Sequence, residues 1–384
     1  MDQPLSGIRV VDLTQVYSGP YATFLLAEAG ADVVKVEPPG GERLRLASGS
    51  AATPFAMFNA GKRSVTVDLA RSEGREALRG LLARADVLVD NFRPGVLTSH
   101  GFDDAALSAI NPQLVRASLS GFGTTGPYRD YPALDIVVQA IVGVIETTGF
   151  ADGPPVKAGA ALADILGGVH LYGAIVTALL HRARTGEALP VETSMLAATY
   201  PAMASSLGWA SEAAPEAVLR TGNRHGGGRV CPYDLYPTTD GHIAIICTTD
   251  RHWQRLCALL GLEALGNDPD LATMAGRLQQ AARIDGAVAE RTACMTRDAL
   301  FALLGAGGVP CGPARRLQEV LDDPHLLATG AIERVAHPHY GALTLPRSAI
   351  RFPTLSRSDY RPSPALGGDL AGADTPLFPQ RIAP

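Results

Sequence analysis

Charge is scarce in this chain. Only 18% of its 384 residues are Asp, Glu, Lys or Arg, against about 25% in an ordinary soluble domain, which points to surface hidden in an assembly. The formal net charge of −5 excludes nucleic acid as the principal partner. Cysteine is sparse too: five scattered residues, none at C-x-x-C spacing. That excludes a disulfide framework and reads as the reduced thiols of a cytoplasmic protein. His225 and Cys231 lie close together, but nothing completes a zinc site around them, so no metal is expected. The N-terminus has neither a basic segment nor an apolar one, and no signal peptide is expected. The longest apolar runs, near Ile136–Ile145 and Leu171–Leu180, fall short of the roughly 18 residues a membrane span requires, so no membrane is expected either. Internal repeats and long low-complexity segments are absent.

What the chain does have is apolar mass, 46% hydrophobic residues, enough for two domains. Ile8–Leu13, Asp32–Glu37, Ser64–Leu69, Val87–Asp90 and Leu114–Leu119 read as β-strands, with helical patterns over Ala22–Ala29 and Ser72–Ala85. Strands alternating with helices imply crossover units and a doubly wound α/β domain with a parallel sheet. The expected division is a large domain over residues 1–200, a linker over 201–224, a small α+β domain over 225–325, and a tail over 326–384 that returns to the large domain. In the small domain, Tyr233–Leu235 and His242–Cys247 read as strands, and Asp250–Leu260, Leu278–Met295 and Arg297–Leu304 as helices.

Asp164 stands alone among small and apolar neighbours, ahead of a helix expected over Ile165–Leu180. A carboxylate in such company is costly unless paired; it is either a helix cap or a group recruited for chemistry, as nucleophile or as base. Gly121-Phe-Gly-Thr-Thr-Gly126 satisfies G-x-G-x-x-G, but Pro127–Pro132 reads as a loop where the fingerprint must open a helix, so a nicotinamide cofactor is not expected. Lys62 and Arg63 ahead of one strand, and Asn91-Phe92-Arg93 after another, suit a phosphate or are simple turns. Three consecutive glycines, Gly226–Gly228, are flanked by Arg224 and Arg229. They make either a flexible linker or a flap whose backbone N–H groups meet developing negative charge.

The ordered set Pro4–Thr14, Ser18–Pro20, Gly30–Pro39, Asn59–Ser64, Asp90–Gly95, Ser120–Gly123, Asp164, Gly222–Arg224, Gly308–Pro313 and Asp322–His325 resembles the family III CoA-transferases of the CaiB/BaiF type. The resemblance implies an interlocked-ring homodimer with a large Rossmann-like domain and a small one. Coenzyme A is the implied ligand, carried as acyl-CoA. Its implied contacts are Val16, Tyr17, Asn59, Lys62, Arg63, Asn91, Phe92 and Arg93. Where the family often carries an arginine for the nucleotide phosphates, this chain has Ser99-His100, which shifts that role toward Arg43, Arg45 or Arg93. Asp164 matches the family nucleophile, which forms an acyl anhydride and then an aspartyl-CoA thioester, with Asp135 orienting the site and Gly226–Gly228 as the flap. Related racemases use a histidine where Leu134 stands here, which favours transfer over racemisation. Tyr17, Leu134, Arg224 and Arg229 are the expected substrate contacts. The two arginines suggest a short dicarboxylic acid, such as the succinyl group of succinyl-CoA. A 2-methylacyl-CoA racemase and a non-catalytic CoA-binding protein are the alternatives.

Overall fold

A computed structural model describes residues 2–47, 52–214, 216–368 and 377–378. The chain divides into two units: residues 1–142, 159–202 and 322–384 form the first, and residues 143–158 and 203–321 the second. Residues 143–158 therefore leave the large domain in which the sequence had placed them, and the small unit runs from residue 203 with no separate linker before it.

The first unit is built on strands β1 (Arg9–Asp12), β2 (Asp32–Glu37), β3 (Arg63–Thr66), β4 (Val87–Asp90), β5 (Val115–Ser120) and β6 (Val191–Ser194). They form one sheet in the order β3-β2-β1-β4-β5-β6, and every pairing is parallel. Strands covered on both faces read as nearly unbroken apolar runs, as in Val33-Val34 and Val87-Leu88-Val89. One face packs Val10, Val33, Val89 and Leu119 against helices α1 (Ser18–Glu28) and α6 (Leu162–Thr185). The other packs Val11, Val34 and Leu88 against α3 (Ser72–Leu82) and α4 (Asp104–Ile110). Strand order reverses between β1 and β4, and ligands of such sheets bind outside the carboxyl ends of the strands at that switch point. Helices α2 (Thr53–Phe58), α5 (Asp135–Ile141) and α7 (Met195–Thr199) complete the surroundings of the site.

Several expected boundaries move. α1 begins at Ser18 rather than Ala22, and α6 runs over 24 residues, starting before Asp164. One of the two apolar runs that seemed too short, Leu171–Leu180, belongs to a helix with an 18-residue window of mean hydropathy 1.6, so by length and composition alone α6 could cross a membrane. Its buried Gly167, Leu171, Ile175 and Leu179 pack in the core. The returning tail adds an antiparallel hairpin to this unit.

In the second unit β7 (Tyr233–Thr238), β8 (Gly241–Ile246) and β9 (Cys311–Pro313) form an antiparallel sheet. It packs Tyr236, Ile243 and Ile245 against Trp253, Leu256, Ile284 and Leu300 of α8 (Asp250–Leu260), α9 (Ala281–Thr292) and α10 (Arg297–Ala306). The hairpin of the first unit is β10 (Ile332–His337) with β11 (Gly341–Pro346).

Candidate active site

Asp164 occupies the third position of α6, whose N-cap is Ala161. It is therefore not the cap that the sequence allowed. The cap is supplied from elsewhere: Asp135, the first residue of α5, accepts the N–H of Ala163 at 2.8 Å and that of Asp164 at 3.2 Å through Oδ1. The other oxygen of Asp135 accepts from Nε2 of Gln139 at 2.5 Å, and Gln139 also donates to the carbonyl of Ala160 at 3.2 Å. Two open N–H groups of a helix start are thus satisfied by a carboxylate 28 residues away in sequence. Burial pushes the Asp164 carboxyl up to about 6, the charge of Asp135 adds to that, and the Ser18 hydroxyl works against it. A carboxylate raised in this way remains ionised at neutral pH yet is a better nucleophile and base than an exposed one.

The switch-point loops lie in the same unit. The side-chain amide of Asn91 accepts the N–H of Gln15 and donates to its carbonyl, each at 2.8 Å, tying the loop after β4 to the loop after β1. Tyr17 caps α1 and meets Phe58 edge to face with ring centroids 5.4 Å apart. Gln15, Phe92 and His100 line a cavity of about 290 Å³ together with Val36, Val67 and Leu69. Phe92 and the exposed Arg93 border a larger cleft of about 830 Å³ with Asp90, whose carboxyl burial raises to about 6. Arg43 is exposed on the loop after β2, and Leu134 is exposed beside Asp135.

The cations expected ahead of β3 do something else. The Lys62 ammonium is fully buried 2.9 Å from Asp12 Oδ2, and it also donates to the Pro20 carbonyl, Thr23 and Asn59. Its donors are consumed inside the fold, so Lys62 and the equally buried Asn59 are corrected from ligand contacts to structural residues. Burial pushes Asp12 upward, but Lys62, Lys35 and the Thr14 hydroxyl outweigh it and hold the carboxyl below its ordinary range. Arg63 makes a two-point ion pair with Asp32 and donates to the Leu377 carbonyl. Arg45 likewise makes a two-point pair with Glu37.

Gly226–Gly228 and both flanking arginines belong to the second unit. Arg224 pairs with Asp285 and, at 3.6 Å, with Asp234; Arg229 pairs with Glu212 at 2.5 Å. Both members of the Arg229–Glu212 pair are exposed, so it exchanges partners at a cost of at most about 1 kcal/mol, whereas Arg224 is paired with carboxylates that are only 17% and 22% exposed. Gly228 has φ +60°, and the N–H of Gly227 donates to Nδ1 of His225.

Sequence reasoning missed Gln139. Asp135 and Gln139 stand four apart on one helix face, a spacing that could have paired them. Gly121–Gly126 leads into loop, with no helix until Asp135.

Comparison with known proteins fits this architecture. Residues 5–370 match the family described as CoA-transferase family III. A succinate–glutarate CoA-transferase of Agrobacterium fabrum is 34% identical, over 95% of this chain and 93% of that one. A formyl-CoA:oxalate CoA-transferase of Streptomyces avermitilis is 35% identical, over 96% of this chain and 93% of that one. The crystal structure of a CaiB/BaiF family protein from Brucella suis superposes with a TM-score of 0.82 at 34% identity, covering 96% of this chain and 97% of that one. On sequence and fold together, this chain belongs to CoA-transferase family III.

Proposed function

We propose that this protein moves coenzyme A from an acyl-CoA to a free carboxylic acid through covalent intermediates on Asp164. The observation that carries the reading is the carboxylate of Asp164 itself, half-buried in the first turn of α6, its backbone N–H tied to Asp135 and its carboxyl raised to about 6. An Asp164 oxygen attacks the thioester carbonyl carbon, the C–S bond breaks, and CoA leaves as thiolate, giving an acyl-aspartyl anhydride. The thiolate then attacks the aspartyl carbonyl carbon and the donor acid departs as carboxylate, leaving an aspartyl-CoA thioester. The acceptor carboxylate attacks that thioester and releases the thiolate again. Thiolate attack on the acceptor carbonyl then yields the new acyl-CoA and restores Asp164. Covalent passage divides one difficult exchange into four easier ones.

In this reading the loops after β1 and β4 hold CoA through Val16, Tyr17, Phe92 and Arg93. Short dicarboxylic acids are the proposed acyl groups. The support is Arg224 and Arg229, together with the succinate–glutarate and formyl-CoA:oxalate activities named for the relatives. The test is incubation with a panel of acyl-CoAs followed by intact-protein mass spectrometry. The expected result is a hydroxylamine-sensitive adduct that maps to Asp164 and is absent in Asp164→Asn; turnover undiminished in that variant would overturn the reading.

The same reading makes the protein a homodimer. Only 44% of the apolar 18-residue window of α6 is buried within the chain. Val169 and Leu180 are 43% and 58% exposed, and a second copy would cover such a stripe. Light scattering on the eluting protein is expected to give twice the 40.1 kDa chain mass.

A further inference from the structure

Three consecutive residues of the loop between β1 and α1 are each held by a side chain from elsewhere in the unit. The Thr14 carbonyl accepts from the fully buried Lys35 of β2 at 2.9 Å. Asn91, from the loop after β4, grips Gln15 at both its N–H and its carbonyl. Val16 donates its N–H at 3.2 Å to Oε2 of Glu42, from the loop after β2. Leu13 and Thr14 before this point and Ser18 after it are buried, so Gln15, Val16 and Tyr17 are what the loop shows to the outside.

Two features of the arrangement work against stability. Val16 has φ +70°, the one positive φ outside glycine among the described residues, and a β-branched residue adopts that conformation only when its surroundings impose it. Glu42 is only 2% exposed. Its Oε2 accepts the Leu44 N–H at 3.5 Å besides that of Val16, while Oε1 has no hydrogen-bond partner among the described residues. A buried oxygen left open destabilises the fold. The backbone is nevertheless built to bring Glu42 here. Gly40 and Gly41, at φ +93° and +87°, turn the chain after β2, and Glu37, itself fixed by Arg45, accepts the Glu42 N–H at 3.3 Å. Strain that the surroundings over-determine points to a preorganised site.

We propose that Glu42 is a positioning residue for coenzyme A: by holding the N–H of the left-handed Val16, it fixes the loop in the shape that presents Val16 and Tyr17 before the ligand arrives. This rests on the reading above that the loops after β1 and β4 hold CoA. A loop released from Glu42 spends part of its time in other shapes, and apparent affinity falls in proportion to the fraction lost.

The test is calorimetric titration of free CoA into the parent protein, Glu42→Ala and Glu42→Gln, with steady-state kinetics on whichever acyl-CoA of the panel reacts. In Glu42→Ala the Kd for CoA and the KM for the acyl-CoA are each expected to rise roughly tenfold. Asp164 is untouched, so kcat is expected to stay within about twofold. Glu42→Gln keeps a side-chain oxygen for the Val16 N–H and is expected to bind CoA like the parent. A Kd unchanged in Glu42→Ala, or raised equally in Glu42→Gln, overturns the proposal, as does a fall in kcat with Kd unmoved. If Glu42→Ala does not fold, Glu42→Asp, one carbon too short to reach Val16, is expected to weaken CoA binding in the same way, and an unchanged Kd there overturns it equally. The parent protein separates the two failures. CoA bound by the parent with the same Kd in the variant removes the role of Glu42 alone; absence of CoA binding to the parent removes the reading of the loops and this one with it.

Discussion

Asp135 holds the backbone of Asp164 while its charge opposes ionisation of the Asp164 side chain: one carboxylate oxygen accepts the Asp164 N–H at 3.2 Å, and the same charge helps raise the neighbouring carboxyl to about 6. The two effects separate by substitution. Asp135→Asn keeps an oxygen for the helix N–H groups and removes the charge, so the Asp164 pKa falls and the acid limb of kcat/KM is expected at lower pH. Asp135→Ala removes the cap as well and is expected to cost about 1 kcal/mol of stability, measured by urea titration.

Asp164 must be ionised to attack. With its carboxyl near 6, kcat/KM is expected to be level above about pH 7 and to fall tenfold per pH unit well below 6. Asp164→Asn is expected to lose on the order of 10⁴-fold or more in kcat while still binding CoA, checked by single-turnover kinetics and calorimetry.

Gly168→Ala places a Cβ 2.5 Å from a backbone oxygen, which no side-chain adjustment relieves. The helices must part, at an expected cost of about 1–3 kcal/mol, and kcat is expected to fall with them because α6 carries Asp164 one turn away. Thermal unfolding and steady-state kinetics on the same preparation report both.

Lys62→Met distinguishes a structural lysine from a phosphate ligand. It removes the ion-pair partner of the buried Asp12 and leaves the threonine hydroxyls and the charge of Lys35 to hold it, and a loss of about 3 kcal/mol is expected. The KM for acyl-CoA of the folded fraction is expected to stay within about twofold. A large rise in KM with stability unchanged would restore the ligand reading of the sequence.

Arg224→Gln tests the proposed dicarboxylic substrate. The substitution leaves Asp285, 17% exposed, without its cation and is expected to cost about 1–3 kcal/mol. KM is expected to rise roughly tenfold for succinyl-CoA and not for acetyl-CoA, the loss of one charge-assisted contact. Equal effects on both thioesters would remove the arginine from substrate recognition.

Much of this architecture was legible because it is written in local patterns. Asp32–Glu37 and Val87–Asp90 were read with the boundaries they have, since β-branched runs between turn residues leave little freedom. The single Val191–Ser194 strand and the tail hairpin were missed: their residues are mixed, and their strand character comes from the partner they pair with. Lys62 was misread for a related reason. Nothing near it in sequence announces Asp12, 50 residues earlier, which turns an apparent surface cation into a core one. The Asp135–Asp164 contact was not anticipated in this form, because a cap supplied across 28 residues leaves no spacing rule to read.

Val16 has φ +70°, and a left-handed valine has a consequence for anyone engineering this scaffold. Val16→Gly, the replacement a thermostability screen would favour on backbone grounds, relaxes the peptide but loosens the loop proposed to hold CoA. Such variants are expected to trade turnover for heat resistance, so selections on melting temperature alone would drift toward sturdier, slower enzymes at this one position.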